Sequence, residues 1–306
     1  YRLAAADPEF HTHRASEPVR VPHRAHIDKQ IPAYLEPEIP HILIALFVWA
    51  AVYKVIPRFL HEKLTAEALH TILLELPRGQ HEGHLYFLHI MLLVYAALPI
   101  TYTFAAHADE KTERYALSFW ILYGVLLPTL KSLGLLQAFS GIFLQWPLTL
   151  AWGAIGCTWL GHFLIKRKPL PVHLTAAMIL IGFIICFAGT WPRSIRTGKL
   201  SAQLLEGLSP GPCFLAAGFF SLCIRIGKKE NRKMERIAKA LSSGSFCVYL
   251  VHLLVLRVLA HVGFSTSCFR PAISVPFLAL LCLSGSYCIY LLLKKIPLVN
   301  RWIIDL

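Results

Sequence analysis

The sequence has eight cysteines, but no two of them form the Cys-x-x-Cys pair from which most structural zinc sites are built. Most of the cysteines fall inside apolar segments or at their edges. In such positions a cysteine behaves as a small, polarizable core residue. The pattern therefore argues against a disulfide framework and against a zinc site, and we expect no bound metal.

Carboxylates are scarce inside the apolar segments, and no internal repeat is evident. Transporters are commonly built from internal repeats, so their absence argues against an inverted-repeat carrier. Residues 1–38 differ from the rest of the chain, because they are rich in His, Arg, Pro and Glu and lack a signal-peptide core. We interpret 1–38 as a cytoplasmic polar tail, mostly disordered or not native to the protein, and 39–306 as the membrane domain.

Long apolar runs dominate the remaining sequence, which is 56% hydrophobic overall and has a mean hydropathy of +0.56. Runs of roughly 18–23 residues are long enough to cross a hydrocarbon core of about 30 Å. About eight such runs occur: 39–57, 84–104, 115–135, 141–165, 172–191, 210–226, 243–263 and 274–293. The sequence therefore predicts an all-α protein, a polytopic bundle of transmembrane helices.

The net charge of +13 is distributed unevenly among the loops. Lys and Arg concentrate between 225 and 239, at 166–168 and after the last span, all on one side of the predicted bundle. The positive-inside rule places that side, and with it both termini, in the cytoplasm. A basic face against anionic lipid headgroups explains the charge, so we expect the bilayer as partner and no nucleic acid.

The segment 84–98 places histidines where a purely structural span would avoid them. His84 lies at its start, His89 lies within it, and Tyr86 lies between them. A histidine at this depth needs a polar partner in or near hydrocarbon. Five residues rotate a helix by about 140° from its starting face, so the two histidines should not share one site. Of the two, His84 is the stronger catalytic candidate.

A second polar stripe lies in the span 243–263. Ser245, Tyr249 and His252 follow an i, i+4, i+7 spacing and so share one helical face, which should point into the bundle. Arg257 costs about 2.5–3.5 kcal/mol at mid-membrane, so it should meet a carboxylate, a carbonyl or a ligand phosphate. A structural role is the alternative: the His252 ring would then only hydrogen-bond a neighbouring helix. For a single histidine in a span, this structural role and a catalytic role are about equally frequent.

These residue types suit acyl transfer to a hydroxyl group. A neutral imidazole, which titrates near neutral pH, can take the hydroxyl proton. Hydrogen-bond donors then stabilise the oxyanion that develops on the acyl carbonyl. We predict His84 and His252 as base or acyl relay, Tyr249 and Ser245 as orienting groups, and Arg257 as an anionic anchor. Tyr86 and His89 are candidate substrate-binding residues.

Three motifs resemble those of acyltransferase family 3. Residues 83–89 (Gly-His-Leu-Tyr-Phe-Leu-His) are similar to the family's His-Leu-Trp-Phe-Leu-Tyr motif. Residues 244–252 (Gly-Ser-Phe-Cys-Val-Tyr-Leu-Val-His) resemble its Ser-Phe-Gly-Ile-Tyr-Leu-Ile-His helix, and 294–301 resemble its basic Ile-Pro ending. Residues 29–35 look like the lead-in to the family's third span. The resemblance therefore implies a chain without the family's first two spans, and its Arg/Lys-x10-His motif is not carried over to Arg2 and His13.

The resemblance implies a multi-pass protein of the plasma or inner membrane that takes an acetyl group from acetyl-CoA, or another acyl-CoA. The acceptor would be a hydroxyl of a cell-envelope glycan or a lipid-linked saccharide. Two alternatives belong to other classes: a transporter or flippase-like carrier, and an inactive, truncated scaffold. The apparent lack of two spans favours the scaffold, whereas the absence of a repeat counts against the carrier.

Overall fold

The computed structural model of the chain describes residues 24–61, 65–136, 147–227 and 232–304. Within these ranges the protein is helical and contains no strand. The helices are α1 (Arg24–His61), α2 (Ala66–Glu75), α3 (Tyr86–His107), α4 (Glu110–Trp120), α5 (Leu127–Ser132), α6 (Leu150–Lys166), α7 (Val172–Thr197), α8 (Pro210–Gly227), α9 (Arg232–His261), α10 (Pro271–Leu293) and α11 (Pro297–Val299). The all-α class is therefore confirmed.

Six segments in the described ranges are long and apolar enough to cross a membrane. They are Glu38–Ile56, Gly83–His107, Val172–Thr197, Pro210–Gly227, Arg232–His261 and Pro271–Leu293. Large apolar side chains on their outer surfaces are exposed, as a lipid-facing surface requires; Phe183 and Phe187 of α7, for example, are 58% and 54% exposed. The protein is a multi-pass membrane protein.

Two of the eight predicted spans are not among these six. The run at 115–135 is helical from α4 through a π-helical segment, Ile121–Leu126, into α5. The run at 141–165 lies partly outside the described residues, and its helix α6 has 17 residues. The number eight therefore stays a prediction.

Helix α1 begins before the predicted membrane domain, at Arg24, so residues 24–38 of the predicted tail are helical. The apolar span within α1 begins at Glu38, and the domain boundary stays a prediction. The hydrophobic run that follows extends this helix to His61 without a break. Residues 1–23 of the predicted tail lie outside the described residues.

The histidine-bearing spans pack into one helix group. Helix α3 contacts α1, and α9 contacts α10, while the C-terminal segment 300–304 contacts α1, α9 and α10. Their shared core contains Ile42, Leu88, Leu250 and Val251, none more than 1% exposed. A second group is formed by α4, α6, α7 and α8, and α3 joins the two groups by packing against α6. The core of the first group fixes the position of the residues discussed below.

Helix α9 is longer than a membrane requires. Its 30 residues span about 45 Å at 1.5 Å per residue, whereas the hydrocarbon core is about 30 Å thick. The residues from Arg232 to Ser243 are exposed, and four of them are basic: Arg232, Lys233, Arg236 and Lys239. The first turns of α9 therefore form a basic extension of the span.

An ion pair ties α1 to α2 beside the first group. Lys54 Nζ donates to Glu75 Oε2 at 2.6 Å, and this hydrogen bond lowers the pKa of the Glu75 carboxyl from its usual 4.5. A carboxyl with a lowered folded-state pKa stabilises the fold above its unfolded pKa. That contribution is lost as the pH falls through the folded pKa.

We expect the protein to have a higher Tm than Glu75→Gln at pH 7, and the difference to disappear as the pH is lowered well below 4.5. Thermal unfolding in detergent between pH 7 and pH 3 measures this difference. The matched control is Glu206→Gln, because Glu206 is exposed in the loop before α8. A difference that persists undiminished at pH 3 would contradict the assigned role of Glu75.

Candidate active site

His84 is held by a short 3-10 turn, Gly83–Leu85, immediately before α3. Leu85 and Leu88 are fully buried and anchor this turn in the core of the first helix group. The His84 ring meets the edge of Tyr53 from α1, with ring centroids 4.5 Å apart. On its other side lies His252 of α9, at 5.5 Å and perpendicular to it. Three separate segments of the chain thus converge on His84.

Neither ring nitrogen of His84 has a hydrogen-bond partner within the described residues, although both atoms are buried. Buried side-chain nitrogens are nearly always hydrogen-bonded, because leaving one without a partner costs roughly 1–3 kcal/mol. The two ring nitrogens are thus available to a polar group from outside the chain, and His84 stays a candidate site residue.

Two tyrosines fix this arrangement through main-chain carbonyls. The Tyr249 hydroxyl donates to the carbonyl oxygen of His84, and the Tyr53 hydroxyl donates to that of Leu250 at 2.7 Å. The first bond ties α9 to the 3-10 turn, and the second ties α1 to α9. Both bonds leave the His84 ring free.

The tautomer of His252 follows from its hydrogen bond. His252 Nδ1 lies 2.5 Å from the carbonyl oxygen of Tyr249, one turn earlier in the same helix. A carbonyl can only accept, so Nδ1 carries the proton, and in the neutral ring Nε2 is left with an available lone pair. One alternative interpretation of the sequence was that the His252 ring bonds a neighbouring helix. The bond that it makes to Tyr249 lies within α9.

Arg257 has the carboxylate partner that its position requires. Its Nη2 lies 3.1 Å from Glu82 Oε1, and its guanidinium carbon lies 5.5 Å from the centroid of the Tyr53 ring. Both charged side chains are partly exposed, at 42% and 31%. The ion pair therefore lies at the outer edge of the His84 site rather than in its interior.

The other three candidates, Ser245, Tyr86 and His89, are exposed. The Ser245 hydroxyl donates to the carbonyl of Ser242, so the prediction that its face points into the bundle is wrong for Ser245. Seven residues also separate Ser245 from His252 by about 10 Å along the helix axis. Tyr86 is 52% exposed. His89 packs on His81 at 5.1 Å, and the assignment of His84 and His89 to separate sites stays a prediction.

Sequence reasoning missed two residues of the site, Tyr53 and Glu82. Tyr53 is only 1% exposed and lies near the end of the first span, where a tyrosine is commonly an interfacial anchor. Glu82 lies two residues before His84 in a loop of mixed charge. For Glu82, nearness to His84 in the sequence was a weak signal. For Tyr53, only the packing of α1 and α9 reveals the contact with His84.

A cavity of about 930 Å³ lies elsewhere, at the end of α3 and the start of α4. Its lining includes Thr103, His107 and Asp109. Neither His84 nor His252 lines it. Within the described ranges no cluster of three or more His, Cys, Asp or Glu side chains is arranged to hold a metal ion.

We expect Tyr249→Phe to lower kcat roughly tenfold with little change in KM. The reason is that loss of one hydrogen bond worth about 0.5–1.5 kcal/mol loosens the turn that carries His84. The matched control is Tyr115→Phe, because Tyr115 is 72% exposed on α4. Steady-state kinetics of both variants measure the effect, and equal kcat values would contradict it.

The fold and this site together define a multi-pass helical membrane protein with a half-buried histidine between two tyrosine-anchored helices. The chain matches the model of the family described as an acyltransferase domain over residues 28–291. It belongs to acyltransferase family 3, as its motifs at 83–89 and 244–252 predicted. No curated protein and no solved structure matches the chain.

Proposed function

We propose that the protein is an O-acyltransferase that moves an acyl group from acyl-CoA, with acetyl-CoA as the simplest donor, to a hydroxyl of a cell-envelope glycan or lipid-linked saccharide. The observation that carries the proposal is the half-buried His84 ring, whose two buried nitrogens lack a partner among the described residues and which faces His252. Membership of an acyltransferase family supplies the reaction class.

In the proposed reaction a histidine nitrogen accepts the proton of the acceptor hydroxyl. The hydroxyl oxygen then forms a bond to the thioester carbonyl carbon, and the carbon–sulfur bond breaks. The CoA thiolate leaves and takes up the proton from the imidazolium, so no other reactant is needed. His252 Nε2 has the lone pair that this role requires, and His84 is near enough to exchange a proton with it through the bound acceptor.

The remaining residues have supporting roles in the proposal. Tyr249 and Tyr53 orient the two histidine-bearing segments through their bonds to main-chain carbonyls. Arg257 can exchange the Glu82 carboxylate for an anionic group of the acceptor, because the pair is partly exposed. Tyr86 and His89, on the first turns of α3, would contact the acceptor as it approaches. Ser245 has no part in this scheme.

The orientation in the membrane is also part of the proposal. With both termini in the cytoplasm, as the distribution of Lys and Arg predicts, Glu82 and Arg257 lie at the outer side and the basic extension of α9 lies at the inner side. This orientation suits a plasma or inner membrane protein whose acceptor is outside the cytoplasm. The acyl donor would come from the cytoplasm.

The test is transfer of labelled acetyl from acetyl-CoA to membrane glycans in vesicles that contain the protein. We expect labelled glycan, and we expect His252→Ala to abolish it while the exposed-histidine variant His173→Gln retains it. Absence of transfer with the unchanged protein would contradict the proposed acyltransferase activity. In that case, measured flux of the saccharide across the vesicle would identify a carrier, and absence of flux would indicate a scaffold.

A further inference from the structure

A groove between α9 and α10 has His252 at the middle of one wall. Its volume is about 400 Å³, within the range of about 300–1,000 Å³ typical of small-molecule sites. The residues that carry the argument are Val248, His252 and Leu256 of α9 and Leu278, Ala279 and Leu283 of α10. We name it the acyl groove.

The two walls of the acyl groove run along the helix axes. Val248, His252 and Leu256 follow each other at intervals of four residues, so they form one stripe about 12 Å long. Ala279 and Leu283 repeat the same interval on α10. The groove is therefore elongated and parallel to the helices, which is the shape of an extended chain.

The acyl groove has little polar character apart from His252. The thiol of Cys282, also in the wall, donates to the carbonyl oxygen of His252 at 3.4 Å, and Cys282 is only 7% exposed. No Lys, Arg, Asp or Glu is among the residues that line it. A saccharide would leave its hydroxyls without partners here, and a phosphate would find no cation.

His252 connects the acyl groove to the proposed site. On one side its ring faces His84 at 5.5 Å, and on the other it forms part of the groove wall. Its Nδ1 is engaged within α9, which leaves Nε2 for chemistry. A ligand that extends an apolar chain along the groove would place its polar end beside both histidines.

We propose that the acyl groove binds the aliphatic part of the acyl group carried by the thioester donor. The protein therefore transfers acyl groups longer than acetyl, and Ala279 sets the length that is accepted. The inference rests on the proposed acyltransferase function and specifies its donor. The elongated apolar wall matches the aliphatic chain of the ligand, and the single imidazole, His252, matches its reactive carbonyl.

The test compares acetyl-, butyryl- and octanoyl-CoA as donors for the protein in vesicles, and for Ala279→Phe. We expect octanoyl transfer by the unchanged protein, and we expect Ala279→Phe to lower the octanoyl-to-acetyl ratio at least tenfold. The matched control is Ala272→Phe, because Ala272 is exposed on the same helix and does not line the groove. It should leave the ratio unchanged.

Each contrary result has a distinct meaning. Transfer of acetyl alone, or an equal ratio in Ala279→Phe and the unchanged protein, overturns the acyl groove but not the proposed function. Absence of transfer with every donor overturns both.

A second measurement does not depend on the variant's folding. Octanoyl-CoA with a diazirine at the chain end should label peptide 275–283 of the unchanged protein, and excess octanoyl-CoA should prevent the labelling. Labelling of that peptide by a photoreactive phospholipid that octanoyl-CoA does not displace would show a bilayer lipid tail only, and would overturn the inference.

Discussion

Replacing His84 by alanine is expected to reduce acyl transfer by about 10²–10⁴-fold, the range typical for loss of a general base. The variant should remain folded, because Tyr249 bonds the main-chain carbonyl of residue 84 and not its ring. Steady-state transfer of labelled acetyl measures the activity, and thermal unfolding in detergent measures the stability separately. We expect the turnover to fall and the Tm to change little.

The matched control for this variant is His70→Gln, since His70 is an exposed histidine on α2. It should retain full turnover. If His84→Ala kept more than a tenth of the activity, His84 would not be the base, and His252 alone would have to fill that role. A large loss of Tm in His84→Ala would instead identify a packing residue.

The largest loss of stability is expected from Gly182→Leu in the second helix group. At Gly182 a Cβ atom would lie 2.8 Å from the carbonyl oxygen of Gly211 and 2.8 Å from the main-chain nitrogen of Leu215. Both are backbone atoms of α8, so no side chain can move aside to make room. Small residues at such a crossing allow two membrane helices to approach closely, and leucine would force α7 and α8 apart.

We expect Gly182→Leu to cost about 3 kcal/mol of stability or more, the upper range for overpacking. Thermal unfolding should show this as a fall in Tm of several degrees. Gly161→Leu is the control, because nothing lies within 4 Å of a Cβ atom at Gly161. The molecules of Gly182→Leu that remain folded should keep normal turnover, since α7 and α8 lie outside the His84 group; equal Tm values for the two leucine variants would refute the prediction.

The sequence was informative wherever hydrocarbon makes a residue type costly. Apolar length identified the membrane class, and the histidines at 84 and 252 stood out because a polar ring in a span must find a partner. The helical period predicted separate positions for His84 and His89. It failed for Ser245, because a shared face says nothing about distance along the helix axis.

The rest depended on contacts between segments far apart in sequence. Tyr53 contacts residues of α9 that lie nearly two hundred positions later in the sequence. The residue type alone does not tell whether a tyrosine anchors a span at the membrane interface or lines the site. The number of spans stays a prediction, because one predicted run contains a π-helical segment and another lies partly outside the described residues. Acyltransferase membership, by contrast, followed from short motifs that survive in sequence order.

The continuous length of α9 has a mechanical consequence for the active site. Tyr249 and His252 lie on the same unbroken helix as the basic extension from Arg232 to Ser243. Because α9 is continuous, a force on the extension at the membrane surface, such as attraction to anionic headgroups, would tilt the whole helix. That tilt would change the distance between His252 and His84, with no need for a relay of side chains.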